Sequence, residues 1–402
     1  MERLTAQERT LVSYPDNATM LRQVESWAAI NSGTRNLEGL SHTATLLGDA
    51  FAALPGEVSL VDPAPVEAVR PDGKVEELPH GQHLVARIRP NAPFRMLFTG
   101  HMDTVFGLDH QFQELKWLED GVLNGPGVAD MKGGISVLLA ALHAIESLTL
   151  DGFGYDILIN SDEEVGSASS AALIAELAQN KVAAFTYEPA ALPDGTLAGA
   201  RAGTGNFSII ITGKSAHAGR NPDDGRNAIV AAADLAVRLK GLHRVGLSVN
   251  PAKIEGGGPN NVVPDHSILR VNFRPQTPDD VTYANAKLDE LIADIATKHD
   301  VLVHRHGSFN RPPKPMTDTA LKLFNHVKTC GDDLGQYIAW KDSGGVCDGN
   351  NIAATGVPVV DTMGVRGGSI HSSDEFLITE SLAERAQLSA LAIYRMVQKG
   401  GL

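Results

Sequence analysis

Five short motifs carry side chains able to do chemistry, in the order His101-Met-Asp103, Gly125-Pro-Gly-Val-Ala-Asp130, Asp162-Glu163-Glu164, Glu188-Pro189 and Ile370-His371. Together they can supply five metal ligands and one general base. That is enough for two adjacent metal sites and a spare carboxylate, the set a hydrolytic enzyme needs to make hydroxide at neutral pH. None of the motifs is persuasive alone; their number and order carry the reading.

In His101-Met-Asp103 an extended chain returns the side chain two residues on to the same side, so Asp103 can back the imidazole. A carboxylate on the second ring nitrogen fixes the tautomer and raises ligand basicity. Asp130 follows the tight turn Gly125-Pro-Gly127 where a helix begins, a place at which an isolated Asp is usually a cap. Here a bridging carboxylate fits better, because two divalent ions a few ångströms apart repel and a shared carboxylate holds both. In Asp162-Glu163-Glu164 adjacent carboxylates point to opposite sides, so one of Glu163 and Glu164 binds metal while its neighbour faces the water. An acidic triplet is otherwise just a solvated loop. His217, in Lys214-Ser-Ala-His-Ala-Gly219, stands apart from this set. Unless it is only a turn histidine, an imidazole brought up to the metal pair would stabilise the oxyanion of a tetrahedral intermediate.

Such residues need a scaffold that brings them together. The apolar run Phe94 to Gly100 is predicted to be a strand stopping at His101; Tyr155 to Asn160 delivers the acidic triplet and Lys181 to Tyr187 delivers Glu188. Open α/β sheets bind ligands beyond the carboxyl ends of their strands, which is where these residues fall. A helix is predicted over Lys132 to Leu148, another near Gly166, and a core strand over Pro358 to Asp361 before the Gly-rich loop of His371. Between Gly203 and Ser308 the pattern changes to βαββαβ, the split-βαβ order of a ferredoxin-like unit. The expected organisation is α/β: a catalytic domain of 1–200 and 313–402, a mixed sheet flanked by helices, with an α+β lid of 201–312 inserted. Pro-rich Arg311-Pro-Pro-Lys-Pro315 marks the return crossing.

Composition sets limits. The chain has 402 residues, 34 Lys+Arg against 48 Asp+Glu, and a net charge of −14, a field that repels nucleic acid and anionic membrane surfaces. No apolar run approaches the roughly 18 residues of a membrane span. The start, Met1 to Ser13, lacks the basic and apolar blocks of an export signal, so a cytoplasmic protein is expected. Two cysteines, Cys330 and Cys347, without C-x-x-C spacing, argue against a disulfide framework or thiolate zinc site.

The joint motif set resembles the zinc-dependent aminoacylase, carboxypeptidase and deacetylase family, which includes acetylornithine deacetylase and succinyl-diaminopimelate desuccinylase, and is most similar to its bacterial glutamate carboxypeptidases. The resemblance rests on Gly100-His-Met-Asp-Thr-Val105, Gly125–Asp130, Asp162–Glu164, Ile211–Gly219 and Asn261-Val-Val-Pro264, in family order. It implies a zinc-exopeptidase-like catalytic domain with one metal held by His101, Asp130 and Glu188, and a second by Asp130, Glu164 and His371. It also implies Glu163 as general base, Asp103 behind His101, and a cis peptide after Asp130. The lid resembles a dimerisation domain. His217 would then act across a homodimer, with Asn261 and Arg274 contacting the substrate carboxylate. His and carboxylate ligands without thiolate suit zinc, two per subunit, with cobalt or manganese as substitutes. The expected reaction is hydrolysis of the amide bond of a small peptide or N-acyl amino acid with a free carboxylate; the rivals are an aminoacylase or biosynthetic deacetylase, and a silent binding homologue. The Ser343–Gly349 stretch departs from the family's Gly-Gly-Thr-Asp type of loop.

Overall fold

The computed structural model describes residues 3–148 and 150–402; Met1 and Glu2, the first residues of the stretch expected to carry no export signal, lie outside them. Its larger layer is a six-stranded mixed sheet in the order Glu57–Val61, His83–Ile88, Phe153–Asn160, Phe94–His101, Ala183–Thr186, Val359–Val360. The first two strands are antiparallel, and from Phe153–Asn160 onward the neighbours run parallel. Phe94–His101 lies centrally and Phe153–Asn160 is buried at every position, as expected for parallel strands covered on both faces. His101 stands opposite Asn160 and Thr99 opposite Thr186, so three consecutive strands end at one level of one edge.

Helices cover the sheet. Gly134–Glu146 is apolar on almost every side and buried at ten of its thirteen positions, with Ser381–Lys399 packed beside it. It starts two residues later than the sequence pattern predicts, because Val128–Gly133 forms an irregular turn with non-helical backbone at Asp130 and Met131 and a cis Asp130–Met131 peptide. No helix starts near Gly166 either: a short 3₁₀ turn, Glu163–Val165, is followed by a helix only at Ala171–Ala178. The delay has a visible cause. The buried Asp162 carboxylate accepts from the Ser169 amide at 2.7 Å and from the Ser169 and Ser170 hydroxyls at 2.8 and 2.6 Å, tying the intervening chain into a loop.

A second sheet is built from Thr204–Thr212, Leu247–Gly256, His266–Pro275 and Leu302–Arg311, all antiparallel. Ala228–Lys240 and Pro278–His299 complete the βαββαβ order, and its spatial order 2-3-1-4 is that of a ferredoxin-like unit. Thr277 opens the second helix with a reciprocal capping box to Asp280 and Pro278 follows in the first turn, which accounts for its sharp start. This unit has its own apolar core, including Phe207, Ile209, Leu235, Leu269 and Phe273. The chain enters and leaves it side by side: Arg201 and Lys314 exchange backbone hydrogen bonds of 2.9 and 3.0 Å. The strands Phe376–Ile378 and Val122–Asn124 pair in a small four-stranded sheet that ties the C-terminal region to the turn carrying Asp130.

Candidate active site

Each parallel strand end places a charged side chain at the same edge. His101 closes its strand, Glu163 and Glu164 follow the strand ending at Asn160, and Glu188 follows the strand ending at Thr186. Asp130 comes from the irregular turn and His371 from the loop before Phe376. The Asp130 carboxylate is divided between two imidazoles: Oδ1 lies 3.0 Å from His101 Nε2, and Oδ2 lies 3.3 Å from His371 Nε2. Glu188 Oε2 is 3.7 Å from His101 Nε2, and Glu164 Oε2 is 3.1 Å from His371 Nε2. Glu163 stands beside them, close enough to group with His101 and Glu188 as potential ligands.

Asp103 does more than the sequence motif suggests. Its backbone carbonyl, 3.0 Å from His101 Nδ1, is an acceptor that holds a proton on that nitrogen and turns Nε2 toward Asp130 and Glu188; its carboxylate is farther, at 3.4 Å. That carboxylate accepts from the Glu163 and Glu164 amides at 3.2 Å each and from the Thr34 hydroxyl at 2.7 Å. One residue therefore orients the imidazole, chiefly through its backbone carbonyl, and the acidic pair, through its carboxylate.

The electrostatics are one-sided. Burial lifts Glu163 to about 6, and burial with the neighbouring Asp130 charge lifts Glu164 to about 8. Glu188 is lifted to about 8 by burial, against the pull of His101. Burial would lower His101, but Glu188, Asp103 and Asp130 hold it well above its ordinary value; His371 is raised to about 11 by its hydrogen bonds to Asp130 and Glu164. Burial would raise Asp130, yet the two imidazoles hold it below the usual carboxylate range. Among the described residues, nothing hydrogen-bonds Glu188 Oε1, a buried oxygen. Crowded carboxylates with an orphaned oxygen are suited to cations held from outside the chain.

Sequence reasoning missed Arg311. Its Nη2 lies 2.8 Å from Glu163 Oε1 and donates to the Glu163 carbonyl at 2.8 Å and the Ser167 hydroxyl at 2.7 Å. It was legible only as part of the return crossing, because nothing local marks an arginine whose partner lies 148 positions earlier. Also missed was buried Asp361, gripped by Arg201 at 2.8 and 3.2 Å and by Lys314 at 2.8 Å. Of these groups Arg201 reaches a cleft of about 710 Å³, lined also by Asp130, Glu163, Glu188, Cys347 and His371. His217 and Asn261 are not in its lining. They lie together on the second sheet's exposed rim, where the Ala218 amide donates to the Asn261 carbonyl at 2.9 Å and His217 Nδ1 accepts from the Gly219 and Arg220 amides. Arg274 is half-buried, with Nε donating to Asn272 Oδ1 at 3.0 Å.

A model of peptidase family M20/M25/M40 matches residues 97–395, an interval holding every position from His101 to His371. The chain belongs to that family. This M20-family protein is 26% identical over 391 residues to carboxypeptidase G2 of Pseudomonas sp. (strain RS-16), covering 94% of this chain and 89% of the relative. It is 28% identical over 319 residues to the succinyl-diaminopimelate desuccinylase of Psychrobacter arcticus, covering 72% and 75%. A tripeptidase from Staphylococcus aureus shares its fold, with a TM-score of 0.74 at 22% identity over 96% of this chain and 100% of that one. The protein is thus an M20-family metallopeptidase, a metal-dependent hydrolase of amide or peptide bonds.

Proposed function

We propose that this protein is a two-zinc hydrolase that cleaves the amide bond of a small peptide or N-acyl amino acid ending in a free carboxylate, in the manner of a glutamate carboxypeptidase. The observation that carries the proposal is the division of Asp130 between His101 and His371, each imidazole with its own further glutamate. His101, Asp130 and Glu188 would hold one ion; Asp130, Glu164 and His371 would hold the other. Two nitrogens and three carboxylates with no thiolate suit zinc and accommodate cobalt or manganese. When bound, such ions supply Lewis acidity, making water acidic near neutral pH and polarising a carbonyl oxygen.

The chain's own residues do the rest. Glu163 takes the proton of the attacking water, holds it and delivers it to the departing amine nitrogen. Its environment, which lifts it to about 6 by burial against the pull of Arg311, suits a group that must accept a proton and release it again. Arg274 and Asn261 would grip the substrate carboxylate, the planar guanidinium matching its two oxygens. His217 would donate to the oxyanion. Since His217 and Asn261 share one rim outside the cleft lining, the reading has them reach the site from a second copy of the chain, docked through the lid of residues 201–312.

The test is release of amine from a panel of dipeptides and N-acyl amino acids, with and without chelator and with zinc restored. Chelator-sensitive turnover, best on substrates with an acidic C-terminal residue, is expected. Preference for an acylated biosynthetic amine would move the protein to the deacetylase side of its family, and no metal-dependent hydrolysis of any carboxylate-ending amide would overturn the proposal.

A further inference from the structure

Among the proposed ligands, His371 is held least by packing. Its side chain is 54% exposed, whereas that of His101 is 1% exposed, and its backbone is left-handed, with φ of 64°. Ser369, two residues earlier, has φ of 53°. A non-glycine residue in this region is maintained only when its surroundings over-determine it. Beyond its own contacts to Asp130 and Glu164, His371 therefore depends on how the loop that carries it is held.

Four residues on is Glu375, 1% exposed. Its Oε1 accepts from the Ala129 and Asp130 amides, both at 3.0 Å, and its Oε2 from the Gly127 amide at 3.2 Å. One carboxylate thus takes three backbone donors of the turn that carries the bridging aspartate. The Glu375 carbonyl completes the lacing, accepting from Asn124 Nδ2 at 2.7 Å and the Gly125 amide at 3.3 Å. Asn124 Nδ2 also donates to the Ser373 carbonyl at 3.1 Å, and Phe376 pairs with Asn124 in the small sheet. Lys132, buried and donating to the Ile30 carbonyl at 3.1 Å, places a positive charge whose strongest favourable partners are Glu375 and then Asp103. A neutral side chain could close the turn without bringing another buried negative charge to an acidic cluster. A carboxylate is what can hold three amides at once.

We infer that Glu375 is a positioning residue for the metal centre: it locks the His371 loop to the Asp130 turn and so sets the affinity of the ion shared by Asp130, Glu164 and His371. This rests on the two-ion reading above. His101 and Glu188 are placed by the sheet, so the first ion depends on the laced turn through Asp130 alone, whereas the second depends on it through both Asp130 and His371; loss of Glu375 therefore affects the two ions unequally. Glu375→Ala removes all three acceptances. Glu375→Gln keeps the oxygen that serves Ala129 and Asp130 but turns an amide group toward the Gly127 N–H.

The experiment strips the full-length protein with chelator and titrates Zn²⁺ and Co²⁺ by calorimetry, with metal content after dialysis and the Co²⁺ absorption spectrum as independent readouts. Wild type binding fewer than two equivalents would sink the two-ion reading, and this inference with it. With two equivalents in wild type, Glu375→Ala is expected to weaken the ion of Asp130, Glu164 and His371 about 10- to 100-fold, the range for partners that orient ligands, and the other ion distinctly less. Glu375→Gln should fall between the two. Thermal melting of the metal-free proteins checks folding; if the alanine variant does not fold, the glutamine variant decides. Two equivalents at wild-type affinity in a folded variant, or equal weakening of both, overturns the assignment of Glu375.

Discussion

Two buried charge clusters reach the cleft, one through Arg201 and the other through Asp130, Glu163 and Glu188, and they are built on opposite plans. Around Asp361 one carboxylate meets two cations, Arg201 and Lys314, and although burial would raise it, those cations hold it below its ordinary range. Around Asp130 four carboxylates, Asp130, Glu163, Glu164 and Glu188, face two imidazoles and the Arg311 guanidinium, and three of the four are pushed up by burial. The first cluster is complete within the polypeptide. The second has more acid than the chain neutralises, so its stability and its chemistry both wait on cations from solution.

The contrast can be broken most forcefully at Glu163. Glu163→Gln should lower kcat by about 10²- to 10⁴-fold, the range for removing a general base, while the protein still retains two metal equivalents by elemental analysis. Near-normal turnover with full metal would end its assignment as base. Asp361→Ala, which leaves Arg201 and Lys314 buried without their counterion, should cost about 3–5 kcal/mol in denaturant unfolding. Zinc should not restore that loss. Glu188→Gln should do the reverse: at pH 8 the metal-free variant melts no lower than metal-free wild type, but its metal affinity falls. Equal destabilisation by the two changes would erase the distinction between the clusters.

Asp103→Asn sharpens the comparison within the metal cluster. It should weaken metal binding by about 10- to 100-fold, read by competition with a chromogenic chelator, because the carboxylate that accepts from the Glu163 and Glu164 amides and stands 3.4 Å from His101 Nδ1 is lost, although the backbone carbonyl on that nitrogen remains. The smallest expected effect is a slope with pH. Glu163, Glu164 and Glu188 have folded values raised above 4.5, so the stability linked to their protons is complete below about pH 4.5 and is lost as pH rises through about 6 to 8. His371, raised from 6.5 to about 11, slopes the same way over that interval. Melting temperature of the metal-free protein should fall between pH 6 and pH 8, and saturating zinc should flatten or invert the trend. A metal-free protein that gains stability across that interval would contradict the assigned surplus of acid.

Much of the site was readable because its residues sit at strand ends and in a glycine turn, features with a local signature. His101, Glu164 and Glu188 each follow an apolar run of strand length, and Asp130 follows Gly125-Pro-Gly127. The βαββαβ unit was readable for the same reason, each element having its own period and punctuation. Arg311, Asp361 and Glu375 were not, since each acts through partners far away in sequence: Glu375 meets its amides across 245 to 248 positions. The helix start near Gly166 was misjudged because the serines that Asp162 ties down have no helical or strand period to betray a loop. His217 and Asn261 stand out in the sequence by type and motif, and the fold brings their segments to each other but not into the lining of the cleft.

The paired crossing at Arg201 and Lys314 reaches beyond this one protein. Because the βαββαβ unit departs and returns at two residues already joined by reciprocal backbone bonds, it can be exchanged at that seam without rethreading the six-stranded sheet, as long as Arg311, which reaches back to Glu163, is kept. Such a seam makes the second sheet and its two helices a separable cassette with a core of its own.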